Sequence, residues 1–83
     1  MMIVYTDRAG EQMIELPKAD QIRIHEKIDH YAGQKDPLKF AKHLTGHSAY
    51  TFRIGNYRVV FTIERDTLYI LVIAKRDGAY KDI

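Results

Sequence analysis

The residues able to do chemistry gather toward the end of the chain: Arg53, Arg58, Lys75, Arg76 and Tyr80. Gly55-Asn56 has the composition of a two-residue hairpin turn between two alternating stretches. Such a turn pairs Ile54 with Tyr57 and sets Arg53 directly opposite Arg58. Like charges facing each other across a sheet are destabilising, so this placement points to an anion between them. Arginine holds a phosphate through paired donors and offsets the extra charge of a phosphorane-like transition state. Cations near a phenol favour its ionised form, which makes Tyr80 a candidate base. Chemistry of this kind requires no metal. The competing reading of the same residues is an ordinary solvated face, with Glu64, Asp77 or Asp82 as distant counter-ions.

The element that must position these groups is residues 51–80. Apolar and polar residues alternate there with period two, interrupted at Gly55-Asn56 and Arg65-Asp66. That pattern predicts a three-stranded antiparallel meander. One face collects Tyr50, Phe52, Ile54, Tyr57, Val59, Phe61, Ile63, Leu68, Ile70, Val72 and Ala74, and is assigned to a helical layer. The other carries Thr51, Arg53, Arg58, Val60, Thr62, Tyr69, Leu71, Ile73 and Lys75, and is open to water or a partner. Two-residue turns at both ends pair Arg58 with Ile73. Lys75 then lies two residues further along the same face, so Arg53, Arg58 and Lys75 converge near the Gly55-Asn56 turn. Arg76 and Tyr80 follow as the chain leaves the sheet.

Upstream, Ile3-Val4-Tyr5 is a short strand. A short helix over 8–16 is stopped by Pro17, and a stronger one runs from Lys18 to Ala32. Ile22, Ile28 and Ala32 mark its buried stripe, with His25 and Tyr31 beside it. Ile24 lies off that stripe, turned toward the first helix, and Gly33 is the C-cap. Asp36 and Pro37 start a further helical turn, whose face Phe40 and Leu44 bury and which Gly46 ends. The order β-α-α-β-β-β makes a two-layer α+β domain, a helical hairpin packed on one face of an antiparallel sheet.

The 83 residues make a single domain, 1–83. With no cysteine, disulfides, thiolate zinc sites and cysteine catalysis are excluded, as suits a reducing cytoplasm. The opening residues lack the pattern of a signal peptide. The longest apolar run, residues 68–74, is too short to span a bilayer. A net charge of +2 is too small to indicate a nucleic-acid partner; the placement of the charges has to carry that inference.

The stretch YTFRIGNYRVVFTIERDTLYILVIAKRDGAY resembles the C-terminal half of the RelE/ParE toxin superfamily. The matching features are Leu44-Thr45-Gly46, the Tyr57-Arg58-Val59-Val60 strand, and a basic pair ending the last strand, with Tyr80 four residues after Arg76. The resemblance covers most of the chain. It implies a RelE-type toxin of a type II toxin–antitoxin system, a ribosome-dependent mRNA endoribonuclease with no cofactor. Its partners would be mRNA in the ribosomal A site and a cognate antitoxin, in a hetero-oligomer. Cleavage would proceed by attack of the RNA 2′-hydroxyl on the adjacent phosphate. Arg58 would then stabilise the scissile phosphate. Arg76 would be the cation, or proton donor, at the leaving oxygen, and Tyr80 the base or the group that positions it. Arg53 would hold phosphate or the reacting hydroxyl. Many relatives have histidine where this chain has Lys75. Strand parity favours Lys75 on the Arg58 face and the resemblance favours Arg76, so both stand as candidates. A ParE-like toxin inhibiting DNA gyrase and an inactive binding module of the same fold are the alternatives.

Other polar residues carry less. His43 and His47 have the spacing of a helical metal pair, but Gly46 lies between them and no third ligand is near. His25 and His30 belong to a charged helix face. Tyr5, Tyr31, Tyr50 and Tyr57 read as core or rim residues, and Tyr69 as a face residue able to stack on a base or pack on a partner. Glu11, Glu15, Glu26 and Asp29 are ordinary helix charges.

Overall fold

The structure, a computed structural model, describes residues 1–75. A five-stranded sheet runs in the order β1-β5-β4-β3-β2, with strands β1 (Met2–Tyr5), β2 (Lys42–His43), β3 (Tyr50–Ile54), β4 (Tyr57–Glu64) and β5 (Thr67–Lys75). Among the described strands, the β1–β5 pair is parallel and the other pairs are antiparallel. Helices α1 (Asp7–Ile14) and α2 (Lys18–Ala32) form the second layer. The two-layer α+β architecture is as the sequence predicts, with β2 added at one edge. No helix among the described residues is long and apolar enough to cross a membrane.

Thr6 starts α1, its Oγ1 accepting from the Ala9 amide at 3.2 Å. Helix α2 ends at Gly33. Its buried stripe is Ile24, Ile28 and Ala32, at i, i+4 and i+8, whereas Ile22 is 52% exposed. The expected stripe was therefore displaced toward Ile22, and Ile24 is core. The main core joins this stripe and Ala9 to Phe52, Ile54, Tyr57, Val59, Phe61, Leu68, Ile70 and Ile73. Phe52 and Phe61 stack at 4.1 Å in its centre.

The first hairpin has the predicted register: Ile54 faces Tyr57 and Arg53 faces Arg58. Gly55 at φ +58° opens the turn, which is the glycine position of a type II′ hairpin. The second hairpin begins as predicted, with Glu64 opposite Thr67. Its register then shifts: Phe61 faces Ile70 but Val60 faces Val72, leaving Leu71 as an extra residue. Everything after Leu71 changes face. Ile73 joins the helix-side core, while Val72 and Ala74 join Val60 on the other side.

The edge of β5 explains why the bulge is stable. Strand β1 pairs only with residues 67–70. Beyond it, the Thr6 amide donates to the Ile70 carbonyl at 3.0 Å, and the Thr6 hydroxyl to the Leu71 carbonyl at 3.3 Å. The Ile73 amide donates to Gln12 Oε1 at 2.7 Å. The start of α1 thus satisfies backbone groups that β1 no longer reaches.

Residues 37–40 form a 3₁₀ turn, not a longer helix, and the chain then enters β2. Phe40 and Leu44 do not share a face. Phe40 is 43% exposed, and Leu44 is buried with Ala49, Val60 and Val72 in a second, small core. Gly46, at φ +81°, belongs to the turn between β2 and β3.

Candidate functional site

Two rows of the open side concern the site. Lys42, Thr51, Val60 and Val72 are paired in sequence across the strands, and Arg53, Arg58 and Ala74 form the next row. Segment 44–49 folds over the first row, so that Leu44 and Ala49 cover Val60 and Val72. This small apolar patch closes half of the face and leaves the arginine row beside it accessible, with Arg58 half-buried and Arg53 exposed.

Lys39, Lys42, Arg53 and Arg58 line one cavity of about 400 Å³, with Phe40, Ala41 and Thr51 completing its wall. Among the described residues no carboxylate lines it. Four cations around one concavity make a region of positive potential, and low-dielectric walls such as Phe40 strengthen it. Arg58 also borders a neighbouring hollow with Lys42, His43, Leu44, Thr45 and His47. Arg53 and Arg58 are opposed on adjacent strands, with Lys39 and Lys42 on the same cavity wall.

Of the predicted site residues, Arg53 and Arg58 come together as expected. Lys75 does not join them. The Leu71 bulge pairs it with Tyr57, and it lines a separate cavity of about 900 Å³ with Glu15, Asp20, Arg23 and Asn56. Arg58 faces Ala74, not Ile73. Arg76 and Tyr80 lie outside the described residues. Lys39 and Lys42 were missed. A signal for Lys42 existed, since alternation carried back from Thr51 across an extra strand puts it on the arginine face, but two residues are too few to show a period.

His43 and His47 are not a helical pair: His43 is in β2, its ring edge-on to Tyr50 at 5.2 Å, and His47 is in the following turn. No three metal-ligating side chains converge among the described residues. Among the described residues, two tyrosines have raised pKa values. Tyr57 donates to Asp20 Oδ2 at 2.7 Å, and this hydrogen bond holds the phenol neutral. Tyr5 is raised by burial and then by Asp29. Neither is placed to act as a base at the arginines.

The fold and this cavity define a class: a small α+β domain with a helical hairpin on one side of the sheet and a cationic cleft on the other. The particular fold is that of the RelE toxins. The chain superposes on a toxin–antitoxin complex RelBE of Mycobacterium tuberculosis with a TM-score of 0.81, at 23% identity over 90% of each chain. The isolated RelE toxin of E. coli gives 0.75 at 13% identity, over 89% of this chain and 82% of that one. A RelE–RelB complex of Pyrococcus horikoshii gives 0.71 at 25% identity, over 94% and 97%. No protein-family model matches the sequence. No curated protein matches it either.

Proposed function

We propose that the protein is the toxin of a type II toxin–antitoxin system and cleaves mRNA on the ribosome without a metal ion. The observation that carries the reading is the opposed pair Arg53 and Arg58 in a cavity with Lys39 and Lys42, on a RelE fold. Such a cleft favours a polyanion. A single-stranded RNA phosphate fits between guanidinium groups on adjacent strands.

In the proposed mechanism the 2′-hydroxyl oxygen attacks the adjacent phosphorus and the bond to the 5′-oxygen breaks. Tyr80 takes or directs the departing hydroxyl proton. Arg58 stabilises the charge that builds on the non-bridging oxygens, and Arg53 holds the phosphate. Arg76 stabilises the leaving oxygen, which is protonated from solvent because a guanidinium keeps its protons. The products are a 2′,3′-cyclic phosphate and a 5′-hydroxyl. Arg76 is preferred over Lys75 for this role because Lys75 faces the helical side.

Four of the solved structures that share the fold are described as complexes of RelE with RelB. By that likeness the proposed protein partner is an antitoxin, and the assembly a cytoplasmic hetero-oligomer. An acidic segment on the cationic face would bind quickly and in a salt-dependent way.

The test is single-turnover cleavage of a defined mRNA on programmed ribosomes, with and without a chelator that takes transition metals but spares the ribosome's Mg²⁺. Cleavage with cyclic-phosphate ends, unaffected by that chelator and lowered in Tyr80→Phe with ribosome binding retained, is the expected result. Binding without cleavage at any codon would favour the inactive module.

A further inference from the structure

The aromatic residue beside the cations is unexplained by its own environment. Phe40 is one of the few large apolar side chains left exposed, at 43%. It lines the same cavity as Lys39, Lys42, Arg53 and Arg58. Its ring is not loose: it stacks on Tyr31 at 5.0 Å with 18° between planes. Tyr31 in turn contacts Phe52 at 4.7 Å, and Phe52 stacks on Phe61 in the core. Phe40 is therefore the outer member of an aromatic row anchored in the core, set at the wall of the cationic cleft.

A pre-ordered, half-exposed ring next to backbone-binding cations is how single-stranded nucleic acid is held without base-edge readout. Cations track the phosphates and a base stacks on the ring. An acidic peptide would use the same cations but gain nothing from a flat aromatic surface. We infer that Phe40 is a base-stacking platform, seating the base of a nucleotide neighbouring the phosphate held by Arg53 and Arg58. Lys39 and Lys42 then flank the strand on its way across the sheet edge. This rests on the RNA reading above and adds to it a second contact point that fixes the substrate's register. Any base can stack, so the platform positions the strand and does not choose a codon.

The chain contains no tryptophan, so Phe40→Trp introduces a single indole at the platform. Purified Phe40→Trp is titrated with a short single-stranded RNA, with an abasic strand of the same length and charge, and with polyglutamate. Phe40→Ala is titrated alongside by a labelled-strand assay. Quenching and a spectral shift with RNA, absent with the abasic strand and with polyglutamate, are expected. Phe40→Ala should bind RNA about tenfold more weakly and the abasic strand unchanged. Equal binding of RNA and abasic strand without quenching would overturn the platform while leaving the phosphate cleft standing. Polyglutamate producing the same spectral change would also overturn it, in favour of a peptide site. Failure of both strands to bind would overturn the platform, while the RNA reading is decided separately by cleavage on programmed ribosomes. A melting temperature for Phe40→Ala equal to that of wild type excludes unfolding as the cause of weaker binding.

Discussion

The two faces of the sheet share strands β3, β4 and β5 and differ in almost everything else. The helical side is a continuous core in which Phe52, Phe61, Leu68 and Ile70 are fully buried under α1 and α2. The other side has a core of four small or medium residues, covered by a single turn, next to a row of cations. Stability comes from the first face. The second has a small apolar patch that segment 44–49 covers, beside the cavity lined by Lys39, Lys42, Arg53 and Arg58. The Leu71 bulge divides the two faces: it sends Ile73 into the core and Lys75 away from the arginines.

Ile73→Asp should break this division most severely. It sets a carboxylate where the bulge turns a buried apolar side chain toward the helices, beside the contact of Gln12 with the Ile73 amide. The expected cost is on the order of 3 kcal/mol or more, read from the urea midpoint. An unchanged midpoint would mean that Ile73 faces solvent, where pairing without the bulge would put it. Gln12→Ala, which removes only the acceptor for that amide, should cost about 1–3 kcal/mol with cleavage intact at permissive temperature.

Gly55→Ala should cost about 1–2 kcal/mol, because φ is +58° and a Cβ would sit 3.2 Å from Arg23 Nη1. Thermal melting measures this, and the hairpin that opposes Arg53 to Arg58 should loosen with it. The smallest effect concerns pH. Tyr57 is raised above its ordinary value of 10.0, first by its hydrogen bond to Asp20. The folded state therefore favours the neutral phenol. That contribution is present below about pH 10 and fades as pH rises through the folded pKa. Tyr57→Phe should show a shallower alkaline loss of stability than wild type; identical slopes would remove the Asp20 contact from the account.

Much of this was legible in the sequence. A two-residue turn fixes register, so the opposition of Arg53 and Arg58 followed from Gly55-Asn56 and the alternation around it. The bulge was hidden because residues 68–74 are apolar apart from Tyr69, and a period of two cannot be followed through an apolar run. That concealed both the true partner of Arg58 and the side on which Lys75 lies. Phe40 and Leu44 misled because four-residue spacing mimics a helix face, although β2 lies between them. Ile22 was taken as buried because it sits one i+3 step from His25 and two i+3 steps from Ile28, when the stripe runs through Ile24.

The central claim is that the cations of the open face, and not those of the helical side, act on RNA. It is tested most directly by measuring single-turnover mRNA cleavage on programmed ribosomes for Arg58→Ala and Lys75→Ala side by side, with thermal melting of each. Arg58→Ala should lose about a hundredfold or more in rate at an unchanged melting temperature, while Lys75→Ala stays within about threefold of wild type, the size of an ordinary surface change. Full activity in Arg58→Ala, or an equal loss in Lys75→Ala, would contradict it.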